Sequence, residues 1–333
     1  MLQSALPVRA AVPTQPRRAV ATRFQKPGRE DLFAGAHSQG ALPLKFGFPK
    51  GSLQKSTQEL FNRAGFEVKI SERGYFPKIN DDELAAVLLR SQEVPRYVED
   101  GVLDCGICGH DWVVESNSDV VEVCELKYSK ATSAPARWVL AVPENSSVLQ
   151  PKDLAGDAII ASELVGTTER FFRERNIPIR KVEYSWGATE VKARLPGVAA
   201  IVDITETGAS LSANKLRIIA TILESTTRLV ANRQSWEDPV KRAKIEDLAS
   251  LLQGAVEGRS KVGVKMNLER SRLDDVVALL PSELSPTVSP LLSDRHVAVE
   301  VVVDEEVARQ LVTKCKRLGA TGIVTYDVGI MLH

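Results

Sequence analysis

The chain has 333 residues, with 43 basic and 43 acidic side chains and 44% hydrophobic content, which suits a globular protein of two or three domains. Balanced charge argues against a nucleic-acid partner, and no run of about 18 apolar residues offers a membrane span. Four cysteines in this length do not make a disulfide framework, so a reducing compartment is expected.

The charge is uneven. Residues 1–29 carry Arg9, Arg17, Arg18, Arg23, Lys26 and Arg29 and no acid, which leaves a net −6 on the remainder. An acid-free leader rich in Ala, Val, Pro and Arg predicts a transit segment over residues 1–43, and a chloroplast (plastid stroma) destination is favoured over a mitochondrion.

Structure is predicted to begin at Leu44. LKFGFP is a strand, LQKSTQELFNRAG a helix stopped by Gly65, LAAVLLR a strand and SQEVPRYVEDG a helix capped by Ser91. VLDCGICG is a strand with a glycine-rich end, followed by the short helix DWVVES. ARWVLAVP opens a second run: strand AIIASELV, helix GTTERFFRERN, strand KVEYSW, helix ATEVKARL and strand VAAIVDI. The β-rich runs LRIIATILE and TRLVAN follow, then a long helix with Asp238 as N-cap and Pro239 in its first turn. Alternating strands and helices predict parallel sheets, here two α/β lobes with a cleft between them. The expected division is 44–136 plus 217–256 for lobe I, 137–216 for lobe II and 257–333 for a separate module. That module reads β-α-β-β-α-β, the ferredoxin-like (ACT-like) plan.

The most informative stretch is DITETGASLSANKL, from Asp203 to Leu216. Gly208 permits a positive-φ turn, and a helix start directs unpaired N–H groups at an anion. Thr205, Thr207 and Ser210 add hydroxyls, while Asp203 or Glu206 suits a ribose diol or a water on Mg²⁺. No Lys follows the glycine, so this is not a Walker A loop, and no G-x-G-x-x-G is present. An ordinary capped strand–helix turn has the same composition, so the residues alone leave both readings open.

The run EVKARLPGVAAIVDITETGASLSANKL resembles the signature of the ATP phosphoribosyltransferase family. FPKGSL, LLRSQEVPRYVEDGVLDCGICGHDW, ARWVLAVP, WGATEVK, SPTVSPL and GATGIV resemble its other blocks in order, across about residues 44–333. The resemblance is to the long form and implies a periplasmic-binding-protein-like catalytic region with a C-terminal regulatory domain. It implies condensation of ATP with phosphoribosyl pyrophosphate, Mg²⁺ with ligands unspecified, and a homo-oligomer, a hexamer with dimers, inhibited by histidine. The implied catalytic residues are Lys50, Arg90, Asp104 and Asp203. Asp203, Thr205, Glu206, Thr207, Gly208, Ala209, Ser210 and Leu211 surround the phosphoribosyl group. Lys50, Gly51, Ser52, Arg73, Gly109, Asp111, Glu163 and Glu190 face ATP or the cleft. Asn267, Thr287, Val302 and Gly322 contact histidine. Four positions depart from the pattern: Pro196 replaces Gly, Val198 a smaller residue, Ser210 a Thr and Ser52 a frequent Arg.

Two other readings share the two-lobe plan: a small-solute-binding protein and a catalytically inactive regulatory homologue. Cys105-x-x-Cys108 has no second pair and lies in an apolar strand, which favours packing over a redox or zinc site. His37, His110, His296 and His333 are scattered.

Overall fold

The computed structural model describes residues 43–128, 135–281 and 285–333; the basic leader lies outside them apart from Pro43. β1 (Leu44–Lys50) leads to α1 (Gln54–Arg63), the hairpin β2 (Val68–Lys69) and β3 (Lys78–Ile79), β4 (Leu84–Arg90), α2 (Val94–Glu99), β5 (Cys105–Gly109), α3 (His110–Ser116) and β6 (Val121–Leu126). The chain then crosses to β7 (Ala136–Pro143), β8 (Ile159–Ser162), α4 (Val165–Glu174), β9 (Lys181–Tyr184), α5 (Thr189–Lys192), β10 (Ala200–Thr205), α6 (Ala209–Ala213) and β11 (Leu216–Ser225). It returns through β12 (Thr227–Ala231), α7 (Arg233–Glu237) and α8 (Pro239–Gly258). The last elements are β13 (Lys261–Glu269), α9 (Leu273–Val277), β14 (Thr287–Pro290), β15 (His296–Asp304), α10 (Glu305–Arg317) and β16 (Thr321–Asp327).

The first lobe's sheet runs β4-β1-β5-β12-β6 and the second lobe's β9-β8-β10-β7-β11. β1 lies parallel to β4 and β5, and β8 parallel to β9 and β10. The fourth strand of each sheet has just arrived from the other lobe and runs antiparallel to its neighbours. This strand-exchanged pair of sheets is the periplasmic-binding-protein-like α/β plan.

One boundary differs from the expected division. The expected division places residues 217–225 in lobe I, but β11 pairs with β7 from Leu216↔Pro143 to Ser225↔Ala136. Its Ile219, Ile222 and Leu223 pack on lobe II. A β-rich run carries no mark of the sheet it joins, so its sequence did not show this. The second crossing therefore falls at Thr226.

Local sequence accounts for the elements. On α1, Thr57, Leu60 and Phe61 form the buried stripe, and Gly65 at φ +93° ends the segment. Phe61 packs against Phe46 and Phe48 of β1, with centroids 5.4 and 5.3 Å away. The Asp238 side chain caps α8 by accepting from Val240 N and Lys241 N at 2.9 and 3.2 Å. The module's sheet has the ferredoxin-like order β14-β15-β13-β16. Val264, Met266, Val297, Val299 and Val301 on one face form a core with Leu311 of α10 and Val276 of α9.

The chain end returns to lobe I. Met331 N donates to Gly254 O at 2.9 Å, and Arg63 Nη2 donates to Gly258 O and Val328 O at 3.1 and 2.7 Å. A Cβ on Gly258 would sit 2.9 Å from the carbonyl oxygens of Val328 and Gly329. Backbone cannot yield as a side chain does. Gly258→Ala is therefore expected to cost about 1–3 kcal/mol, seen as a lower melting temperature; an unchanged one would show that the tail does not need this seat.

Candidate active site

Parallel strands bind ligands beyond their carboxyl ends, and these ends converge on the interlobe cleft. Lys50 ends β1, Arg90 ends β4, and Gly109 ends β5. Opposite them, Glu163 follows β8, and Ile204 and Glu206 lie at the end of β10. All six line a cavity of about 410 Å³, together with Gly51, Ser52, Asp111, Trp112, Lys127, Trp138 and the crossing residues Ser225, Thr226 and Thr227. Lys50 Nζ sits 4.3 Å from the ring centroid of Tyr75, which steadies the ammonium without neutralising it. A second cavity, about 450 Å³ beside Leu44, has its lysine, Lys244, already paired with Asp81 and Glu83 at 2.8 Å each.

The walls differ in charge. The first lobe brings Lys50, Arg90 and Lys127, the last paired with Glu125 at 3.1 Å, together with the hydrogen-bonded carboxylate of Asp111; the second brings Glu163 and Glu206. Burial raises the Glu163 carboxyl above its ordinary value, aided by Asp203 and opposed by Lys192. Burial also raises Asp203, against the backbone N–H of Ile204, and Glu190 adds to the rise. One oxygen of Glu206, Oε2, is buried with no hydrogen-bond partner.

The turn after β10 has Gly208 at φ +82°, the left-handed conformation that favours glycine. Thr205 Oγ1 accepts from Gly208 N at 2.8 Å, and Thr207 Oγ1 accepts from Ala209 N at 3.3 Å. A hydroxyl that accepts keeps its own O–H to donate. Thr207, Ala209 and Ser210 are exposed. Thr205 is buried and serves the turn itself.

Several expected site residues stand elsewhere. Asp104 is 5% exposed at the opposite end of β5 from the cleft. It accepts from Lys45 N, Ser235 Oγ and Lys241 Nζ at 2.8, 2.7 and 2.6 Å. It is a structural staple and not a catalytic group. Asp111 lines the cavity, but its oxygens are engaged: Trp138 Nε1 donates to Oδ2 at 2.7 Å and Ser225 Oγ to Oδ1 at 2.8 Å. Burial raises its carboxyl, against those two hydrogen bonds. Leu211 is 1% exposed and belongs to the lobe II core, so its side chain meets no ligand. Arg73 is exposed on the loop between β2 and β3, and neither it nor Glu190 is a wall of the cavity. Cys105 and Cys108 are fully buried, and burial pushes both thiols well up.

Lys127, Trp112, Trp138 and Thr226 went unnoticed in the sequence. Trp138 carried a signal: an indole N–H in an otherwise apolar strand needs an acceptor.

The fold and the cleft define a two-lobed α/β protein of the periplasmic-binding-protein-like plan, with a charge-polarised cavity between its lobes and a ferredoxin-like module behind. The family described as HisG, ATP phosphoribosyltransferase, matches residues 90–254, and its C-terminal domain family matches residues 258–329. An ATP phosphoribosyltransferase of Chlorobium luteolum is 53% identical over 290 residues, 87% of this chain and 97% of the relative. One from Pelotomaculum thermopropionicum is 52% identical over 288 residues, 86% and 98% of the two chains. Among solved structures, a chain of the ATP phosphoribosyl transferase (HisG:HisZ) complex from Thermotoga maritima aligns with a TM-score of 0.55 and 25% identity, covering 64% of this chain and 98% of that one. The chain belongs to the ATP phosphoribosyltransferase family.

Two predictions test this geography. Asp104→Ala, which strands Lys241 and Ser235, is expected to cost about 3 kcal/mol of stability while leaving KM near wild type; a raised KM in folded protein would return Asp104 to the site. Glu163 binds its proton more tightly in the folded chain than in the unfolded one, so its ionised form costs stability above the raised value. That cost vanishes below the unfolded carboxylate range. Glu163→Gln is therefore expected to melt higher than wild type at neutral pH and to lose that advantage on acidification. A gap that does not change with pH would show that ionisation is not its cause.

Proposed function

We propose that this protein is an ATP phosphoribosyltransferase that condenses ATP with phosphoribosyl pyrophosphate to phosphoribosyl-ATP and pyrophosphate, the first step of histidine biosynthesis. The observation that supports it most directly is the cleft, with Lys50 and Arg90 on one wall facing Glu163 and Glu206 on the other. N1 of adenine attacks C1 of the ribose, and pyrophosphate departs. The ring nitrogen carries a lone pair at neutral pH, so no strong base is required. The barrier lies in charge: a cationic ribose and an anionic leaving group. Lys50, Arg90 and Lys127 suit the polyphosphate, and the carboxylates opposite suit the cationic ribose. The turn at Thr207–Ser210 holds the 5′-phosphate, and Asp203 the ribose diol. Orientation of two bound substrates supplies much of the rest.

Magnesium fits as a substrate-borne ion. Among the described residues no group of three or more His, Cys, Asp or Glu side chains can hold a metal. Mg²⁺ usually takes one or two carboxylates plus substrate phosphates, and Glu206 Oε2 offers an unused carboxylate oxygen. When bound, the ion neutralises the leaving pyrophosphate.

The C-terminal module binds histidine and inhibits a hexamer. A Cβ on Gly322 would lie 3.3 Å from Asn267 Nδ2, so these two residues are neighbours. Thr287 pairs with Glu300, and Val302 pairs with Gly263; in the alternation of β15 both Glu300 and Val302 face away from the helix-covered core. The leader directs the chain to the chloroplast, which a fusion of residues 1–43 to a fluorescent reporter would test by its destination.

Pyrophosphate release from ATP, phosphoribosyl pyrophosphate and Mg²⁺ tests the chemistry, and chelation of Mg²⁺ should stop it. Lys50→Ala is expected to lower kcat about 10²-fold. Gly208→Val, which forces a β-branched side chain to φ +82°, should abolish phosphoribosyl pyrophosphate binding in calorimetry. No release by the wild type would refute the activity, and unchanged binding by Gly208→Val would remove the turn from the site. Thr287→Val should raise the histidine concentration needed for inhibition about tenfold, with turnover unaltered in its absence. Wild-type turnover indifferent to millimolar histidine would refute the regulatory role.

A further inference from the structure

α3 belongs to lobe I, yet both of its acidic side chains are spent on lobe II. Asp111, in its first turn, accepts from Trp138 of β7 and Ser225 of β11. One turn further on, the Glu115 carboxylate reaches the start of α4. Its Oε1 accepts from Gly166 N at 2.9 Å, and its Oε2 accepts from Thr167 N at 2.8 Å and Thr167 Oγ1 at 2.7 Å. α4 has no side-chain cap of its own. An acceptor for the first N–H groups of a helix is normally local, at the N-cap. Here a carboxylate from the other lobe, about 50 residues earlier in sequence, fills that place, and its charge also suits the helix dipole. Arg170 of α4 returns the contact by donating to Val114 O at 3.2 Å.

The two acidic residues of α3 differ in leverage. Ser225 is adjacent to the crossing at Thr226, so a rotation of the lobes barely displaces it from Asp111. Glu115 lies four residues further along, about 6 Å of helix, and its partners belong to a helix that moves with lobe II. A rotation about the crossing breaks the Glu115 contacts first. α4 begins two residues after Glu163, which lines the cavity. The angle held by Glu115 thus determines where Glu163 stands relative to Lys50 and Arg90.

We propose that Glu115 is a positioning residue of this enzyme, a latch that caps α4 across the cleft and holds lobe II at the angle where substrates meet both walls, with Asp111 as the pivot. It touches no reacting atom. The proposal rests on the reading that the cleft binds the substrates between its lobes. A ligand that needs both walls binds in proportion to the fraction of molecules holding them in register, so loss of the latch appears in KM before it appears in kcat.

The test compares full-length wild type, Glu115→Ala and Thr167→Val by amide hydrogen exchange at Gly166 and Thr167 and by steady-state kinetics. Glu115→Ala is expected to speed exchange at both amides about tenfold or more, leaving amides inside β1 and β8 at wild-type rates as the check on folding. It is also expected to raise KM for phosphoribosyl pyrophosphate about tenfold, with kcat changed less than about threefold. Thr167→Val keeps both amide contacts and loses only the hydroxyl. Its exchange should stay near wild type and its KM rise about twofold to threefold. Wild-type exchange in Glu115→Ala overturns the latch, and fast exchange with an unchanged KM overturns the positioning role. Should Glu115→Ala not fold, an unchanged KM in Thr167→Val overturns it instead. Absence of pyrophosphate release in the wild type refutes the activity and not the latch, which the exchange rates then decide alone.

Discussion

Everything in the cleft depends on how one buried carboxylate is satisfied. Asp111 is 3% exposed, and an ionised group that deep is costly unless hydrogen-bonded. Its partners come from both ends of the second lobe's contribution to the crossing: Trp138, early in β7, and Ser225, at the end of β11. Ser225 Oγ also accepts from Asp111 N at 3.1 Å. Trp112 packs edge-on to Trp138 with centroids 6.1 Å apart and keeps water away from one side. The chain passes between lobes twice, and at this carboxylate the two passages are joined.

The cleft separates charge by lobe. Lys50 and Arg90 end strands of the first lobe and Glu163 and Glu206 follow strands of the second, while the first lobe's own carboxylate, Asp111, is held by Trp138 and Ser225. Unpaired charge in such a cleft is costly, and burial first, with neighbouring carboxylates adding to it, raises the carboxyls of Glu163 and Asp203. A polyphosphate ligand relieves part of that cost on the cationic side, and a cationic centre relieves part of it on the other. The second lobe has little backbone freedom to spare at this point: Gly208 N and Ala209 N are already held by the turn's own hydroxyls.

The sequence revealed the alternation of strands and helices because period and glycine placement are local properties. The ferredoxin-like order of the tail was legible for the same reason. The lobe boundary was not, since nothing in the residues of β11 distinguishes one sheet from the other. Asp104 and Asp111 look alike in LDCGICGHD, both beside the glycine-rich end of a strand. The direction of β5 separates them, because five residues of strand span about 17 Å, so one carboxylate lies at the cleft and the other at the opposite end of the strand. Lys50, Arg90 and Gly208 were readable as motif positions. Glu115 was not, because its meaning lies in two amides 51 and 52 residues away.

Arg63 closes the first helix of lobe I and bonds two carbonyls, Gly258 where the C-terminal module begins and Val328 where it ends. One guanidinium thus clasps both the inbound and the outbound ends of the module, beside the tail's own seat on α8. That guanidinium stands at the C-terminal end of its support. The support is α1, a rod of ten residues, about 15 Å long. Its far end opens directly onto Lys50, Gly51 and Ser52. α1 thus joins the clasp at Arg63 to the loop of residues 50–52 that lines the cleft.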